Sequence, residues 1–338
     1  MSLGERIPTR IAEAATRANL VALLLASVAT WSSPAHAVEG GSGAYLLGSR
    51  DTLAGIVPGP GTYVTDHSVY MSGKGPTLSL GGVPVTSPEV NVYINKLDIA
   101  HFFEEQVFGG TAGIVLSVPW GIGDVTGDFL PSAPFQGFKD ENNGFGDIVI
   151  TPLIGWHDGN FHYSAGLSIF LPVGKYNTAS ISAAPPAVDD ILNFGKNRWA
   201  FMPTFNATYL NKDTGLEVSG SLGITFSTIN TETDWQTAPE FSFEAAVLQH
   251  LPNGFAFGVS GYAYQQIGED SGSGADNFRT LLGAESLQAR VFGIGPIATY
   301  STKFGETPVG FKLKYTHEFE ARRRFESNIV WGSVNFSF

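Results

Sequence analysis

The sequence predicts an all-β fold, an antiparallel transmembrane β-barrel of about 12 strands with long extracellular loops and short periplasmic turns. Three observations predict it. Apolar and polar residues alternate over windows of about ten residues along most of the chain after position 37, which is the length and period of a membrane-barrel strand. Tight turns take turns with long, polar, Gly/Pro-rich connections, the two loop classes of the two barrel ends. Charged residues make up 15% of the chain, well below the ~25% of soluble domains, yet no apolar run after residue 37 is long enough for a membrane helix.

The chain opens with Arg6, Arg10 and Arg17, then the apolar run ANLVALLLASVATW and small residues at Ala35 and Ala37. This is the pattern of a Sec-type signal peptide over residues 1–37, cleaved after Ala37, and the run falls short of the roughly 20 residues that a spanning helix needs. Residues 38–61, VEGGSGAYLLGSRDTLAGIVPGPG, precede the first strand. Ser49 is suited to cap a helical turn over RDTLAG, and the segment reads either as a plug in the lumen or as a periplasmic tail.

The barrel is expected over 62–338. In GLEVSGSLGITFS, Leu216, Val218, Leu222, Ile224 and Phe226 oppose Glu217, Ser219, Ser221, Thr225 and Ser227. NFHYSAGLSIFL (160–171) and VGFKLKYTHEFEAR (309–322) alternate in the same way, and weaker patterns lie near 62–72, 90–102, 112–123, 145–157, 197–210, 239–251, 254–267, 288–302 and 325–338. HDGN (157–160), NKDTG (211–215), LPNG (251–254) and KFGETP (303–308) carry tight-turn chemistry. Long loops are expected at 73–89, 124–144, 173–195 and 268–287. Strand alternation runs to Phe338, which suits a last strand that closes against the first and leaves no free edge. Aromatic residues near strand ends, among them Tyr63, Trp156, Trp199, Trp235, Tyr300 and Trp331, suit girdles at the two membrane interfaces.

Lys or Arg on the lipid face at the bilayer midplane costs about 2–4 kcal/mol. Glu217, Glu240, Glu244, Lys312, Lys314, Glu318 and Glu320 are therefore expected to face the lumen, as a permeation path or as a salt-bridged filling. Arg322, Arg323 and Arg324 fall at the last outer hairpin, where clustered Arg suits either lipopolysaccharide phosphates or lumen pairing with Glu318 or Glu320.

The chain has no Cys, which excludes a disulfide framework, thiolate metal sites and a Cys nucleophile. Its net charge is −12, one unit more negative without the leader, which argues against nucleic acid. His67, His101, His157, His162, His250 and His317 show no close ligand spacing, and GIGDVTGD and DSGSGAD lack the spacing of an EF-hand. No cofactor, metal or catalytic residue is expected. Two alternatives stand beside a channel. One is a lipid-modifying enzyme with a Ser/His pair on the outer wall, where His317 has the right parity; the other is a closed structural barrel whose loops bind a partner.

GSRDTLAGIVPGPGTYV (48–64), NGFGDIVITPLIGW (143–156), LPVGKYN (171–177), LNFGKNRWAFMPTF (192–205), VFGIGPIATY (291–300) and KLKYTHEFEARRRFES (312–327) together resemble the outer-membrane family of the MetA pathway of phenol degradation, also called SphA-like. The resemblance implies a barrel in the bacterial outer membrane, in contact with its lipids, that passes small hydrophobic or aromatic compounds. A terminal Phe338 after alternating apolar residues also resembles the signal by which the barrel assembly machinery recognises its substrates.

Overall fold

A computed structural model of the chain describes residues 38–129, 137–183 and 186–338. The leader expected over 1–37 lies outside them. Twelve strands form the wall: β1 (Gly61–Lys74), β2 (Val83–Val107), β3 (Gly110–Asp128), β4 (Ile148–Asp158), β5 (Phe161–Leu171), β6 (Ala200–Asn211), β7 (Leu216–Ser227), β8 (Glu240–His250), β9 (Phe255–Gln266), β10 (Arg290–Phe304), β11 (Thr307–Arg322) and β12 (Glu326–Ser337). Each pairs antiparallel with its sequence neighbours. β1 pairs with β12 from Tyr63↔Ser337 to Lys74↔Glu326 and closes the ring. Beyond β12, Phe338 exchanges backbone bonds with Thr62. Closure gives every wall strand two partners, as a sheet in lipid requires.

Alternation assigns the faces. On β7, Leu216, Val218, Leu222 and Phe226 are exposed on the outside while Glu217, Ser219, Ser221 and Thr225 are buried inside. A soluble barrel would bury its apolar side; this one buries the polar side and offers hydrocarbon-like surface outward.

Two expected loops are largely strand. β2 starts at Val83 and β3 runs on to Asp128, and the short strands Leu78–Leu80 and Phe138–Phe145 pair alongside them. The wall thus rises past the barrel rim, around a cluster that includes Leu78, Val85, Val90, Val125, Ile191 and Phe325. The Pro and Gly of GGVPVTSPEV read as loop signals, but Val83 and Val85 keep the alternation going, and a bulge between Thr86 and Glu89 absorbs the irregularity with Ser87 at φ 47°. In the loop expected at 268–287, α1 (Ser273–Leu282) buries Ala275 and Phe278 against Trp235 and Leu287. It stops at Gly283, which adopts φ 57° so that its N–H and that of Ala284 reach the last carbonyls. The helical turn expected after Ser49 is absent: the Ser49 hydroxyl bonds backward to Leu46 O at 2.7 Å, and the chain there makes successive turns.

Candidate functional site in the barrel lumen

Residues 38–57 run among the inward-facing side chains from one end of the barrel to the other. At the loop end, Val38 N–H donates to Arg323 O, and Phe325 N–H to Gly41 O. The Glu39 carboxylate accepts from Arg198 Nη1 at 2.8 Å, Asn230 Nδ2 at 2.8 Å and Thr233 Oγ1 at 2.5 Å. Lys196 Nζ donates to the Ser42 carbonyl and hydroxyl, both at 2.9 Å. Halfway down, Gly48 N–H and Arg50 N–H donate to the two oxygens of Glu244 at 2.8 Å each. Gly48 has φ 85°, its carbonyl accepts from Lys314, and a Cβ there would meet the Lys314 ammonium at 2.7 Å; only glycine meets all three demands.

Asp51 sits between two cations of β11, with Lys312 Nζ at 3.0 Å and Lys314 Nζ at 2.6 Å. The Lys314 ammonium also lies over the Trp331 ring, 4.5 Å from its centroid. Glu217 is wholly buried and accepts four donors: Thr52 Oγ1, Leu53 N–H, Ser219 Oγ and His250 Nε2. A buried carboxylate is tolerated on such terms, because each donor replaces lost hydration. At the periplasmic end, Gly55 N–H donates to Thr208 Oγ1 at 3.0 Å and His157 Nε2 donates to Val57 O at 2.9 Å.

Glu217, Glu240, Glu244, Lys312, Lys314 and Glu318 all occupy inward positions. They divide in what they hold. Glu217, Glu244, Lys312 and Lys314 grip residues 48–53. Glu240 and Glu318 accept the hydroxyls of Tyr264 and Tyr262 at 2.6 and 2.8 Å. Glu320 corrects the expected lumen set: at φ 55°, beside a register shift in the β10–β11 pair, it leaves the alternation, is exposed, and pairs with Arg290 at 3.0 Å. Of the Arg cluster, Arg324 turns inward, with Nη2 at 3.5 Å from Glu318 and its guanidinium over Tyr264. Arg323 has φ 52° and presents its carbonyl to Val38, and Arg322 ends β11. Trp235 and Trp331 also depart from the expected girdles, since both are buried.

The alternation found the wall residues but missed their partners. Arg50, Asp51 and the backbone N–H groups of residues 48–55 belong to a segment with no period to read. Asp51 in SRDTLAG was the available signal, a charge set among Gly and Leu.

Next to the β11 grip, the lumen side of β12, β1 and β2 carries an apolar cluster. Val69, Ile329 and Trp331 pack with Leu46, Met71 and Ile94, and Met71 and Ile94 also pack against the apolar cluster under the outer loops. The two clusters form one continuous column from the loops to mid-height. Below it, His67 Nε2 lies 3.1 Å from Asp98, Lys96 Nζ lies 2.9 Å from the same carboxylate, and the Ser333 hydroxyl meets His67 Nδ1 at 2.8 Å.

At the outer mouth, polar Glu39, Tyr176, Lys196 and Arg198 and apolar Leu80, Ile191 and Phe325 together line a cavity of about 40 Å³. Burial, with Arg198 alongside, brings the Lys196 ammonium down to about 8. Burial pushes the Asp270 carboxyl up to about 7, although Ala238 N–H and Trp235 Nε1 donate to it at 2.8 Å. A folded-state value above the unfolded one means that the folded loop binds the proton more tightly. Its contribution is complete below the ordinary carboxylate range and is lost as pH rises toward about 7. Hydrogen exchange of residues 267–289 is therefore expected to quicken as pH rises from about 4 to about 7 after correction for intrinsic rates, and Asp270→Asn is expected to flatten that dependence.

On the outer wall, His317 Nδ1 lies 2.9 Å from Asn328 Oδ1, which also accepts the Tyr315 hydroxyl at 2.6 Å. The partner of this histidine is a carboxamide and not the serine that acyl transfer needs. Among the described residues no group of three or more His, Cys, Asp or Glu is placed to hold a metal ion.

With 13% identity, the chain is similar to the COG4313 outer membrane channel from Pseudomonas putida F1, over 86% of this chain and 98% of that one, at a TM-score of 0.61. It is also similar to the translocator domain of the autotransporter NalP from Neisseria meningitidis (13% identity, 83% of this chain and 90% of that one, TM-score 0.40). The transport unit of the autotransporter AIDA-I from Escherichia coli gives 11% identity, 82% and 90% coverage and a TM-score of 0.43. Comparison with curated proteins gives no match. The first of these likenesses is one of fold, and it agrees with the closed wall and outward apolar face in placing the chain among bacterial outer-membrane barrels. The model of the family described as MetA-pathway of phenol degradation matches residues 73–334, and the chain belongs to that family, as an outer-membrane barrel of the channel type.

Proposed function

We propose that the protein passes small hydrophobic or aromatic solutes across the outer membrane down their own gradient, and that residues 38–57 are a lumen plug that restricts the path. The observation that carries this reading is the division of the lumen. Charged side chains of β7, β8 and β11 grip the segment, and the apolar column through Ile94, Met71, Val69 and Trp331 lies along β2, β1 and β12, beside the β11 end of that grip. Polar solutes gain nothing along such a wall, whereas apolar ones exchange water for packing, at about 25 cal/mol per Å² buried. The 40 Å³ cavity at the mouth is far below the roughly 150 Å³ that holds benzene. An aromatic solute does not fit that cavity as it stands, so passage there needs the segment or the outer loops to move.

Outer-membrane vesicles that carry this protein give the test. Uptake of a labelled monoaromatic compound is expected to exceed that of a sugar of similar mass, and Met71→Glu with Ile94→Glu is expected to abolish the difference while the barrel keeps its heat-modifiable gel mobility. Equal permeation of both solutes would point to a general pore and would remove solute selection from the apolar column.

A further inference from the structure

The outer wall is not uniform. On β7, β8 and β9 the outward side chains include Leu222, Phe226, Phe243, Val247, Phe257 and Val259, all exposed. On β1 the outward positions between Val64 and Lys74 are Asp66, Ser68, Tyr70 and Ser72. On β2 the change continues, whereas β12 keeps Val330 and Val334 outward and is polar at Asn328. Asn91, Tyr93 and Asn95 of β2 lie on the same face, as does Asn328 of β12, opposite Ser72. Hydrogen bonds tie these groups into a ribbon: Asn95 Nδ2 to Asp66 Oδ1 at 2.7 Å, Ser68 Oγ with the Tyr93 hydroxyl at 3.0 Å, and Tyr315 to Asn328 at 2.6 Å. Its centre is Ser68, opposite Asn95 on one side and Gly332 on the other, halfway along a strand pair that runs from Tyr63↔Ser337 to Lys74↔Glu326. Asp66, Ser68, Tyr93 and Asn95 lie near the middle of this strand pair, and Asn91 and Asn328 nearer its loop end.

We infer that this wall, β12–β1–β2, is the surface on which a second copy of the chain packs within the membrane. Lipid tails supply neither donors nor acceptors, so a carboxylate and a row of amides and hydroxyls at this depth call for a protein neighbour. On this face the Asp66 carboxylate accepts the side-chain amide of Asn95, where a carboxylate has room for about four bonds. The ribbon carries acceptors and donors together, Asp66 beside Asn95, Ser68 and Tyr93. A two-fold axis along the membrane normal beside β1 brings the polar groups of both copies to the same depth, as an isologous interface within a membrane requires. Ser68 and Gly332 are small, so the two walls can approach closely where the axis passes.

The chain has no Cys, which makes the test direct. Ser68→Cys in the full chain, expressed to the outer membrane and treated with a mild oxidant, is expected to give a disulfide-linked band at twice the monomer mass as the main species. Val247→Cys on the apolar wall is expected to stay monomeric. Asp66→Leu added to Ser68→Cys is expected to lower the dimer yield severalfold, with unchanged heat-modifiable mobility certifying a folded barrel. Equal and low cross-linking in the Ser68→Cys and Val247→Cys variants would overturn the inference, as would a cross-link from the β1 wall to a protein of different mass.

Discussion

Deletion of residues 38–57 is expected to turn a barrel of low conductance into a steadily open one, with single-channel conductance in a planar bilayer rising severalfold. The barrel itself should survive. Its backbone bonds run strand to strand around the ring and do not depend on the segment, and the side chains left behind become hydrated once the lumen fills. That last point decides the sign of the stability change. Glu217, Glu244 and Lys314 are buried and bonded to the segment, so removing it also lowers the desolvation cost that these hydrogen bonds offset. Conductance unchanged by the deletion would show that the obstruction lies in the outer loops, and would retire the plug reading.

Asp51→Ala is the point mutation of largest expected effect. It removes one carboxylate and leaves Lys312 and Lys314 facing each other inside the lumen, with the Lys314 ammonium nine-tenths buried or more. Breaking a buried ion pair by deleting one partner costs about 3–5 kcal/mol, since the remaining charge is stranded. The segment, unlike the barrel, can relieve this by leaving. The expected result is a channel that opens without deletion and loses protease protection of residues 38–57. Adding Lys312→Met and Lys314→Met should restore closure, because the triple variant no longer strands the two lysine charges, while Gly48 and Arg50 N–H still hold Glu244. If the single variant remained closed and protected, the grip of Glu217 and Glu244 would be sufficient alone.

The fold was readable because a membrane strand writes both faces into the sequence. The alternation at 216–227 predicts β7 (Leu216–Ser227) almost to the residue, and the inward placement of Glu217, Glu240, Glu244, Lys312, Lys314 and Glu318 follows from the same parity. Parity failed at Glu320, where a bulge resets the count. The girdle reading failed for Trp331, whose inward position follows from the parity of its strand and not from a preference of Trp for interfaces. The path of residues 38–57 was illegible for a different reason. The segment makes its bonds one at a time to β4, β5, β6, β7, β8 and β11, and long-range partners such as Glu244 with Gly48 leave no local pattern.

The covalent junction at Gly61, where this segment becomes β1, sets how such a closure behaves. A displaced segment cannot diffuse away. It stays tethered to its own docking groups at an effective concentration on the order of millimolar, and each release is followed by recapture at a rate independent of how much protein the membrane holds. A dilute solute that competed for Glu244 or Lys314 would contend with that local concentration and lose. Opening in this architecture answers to changes that act on the whole row of contacts together, such as ionic strength, pH or mechanical pull.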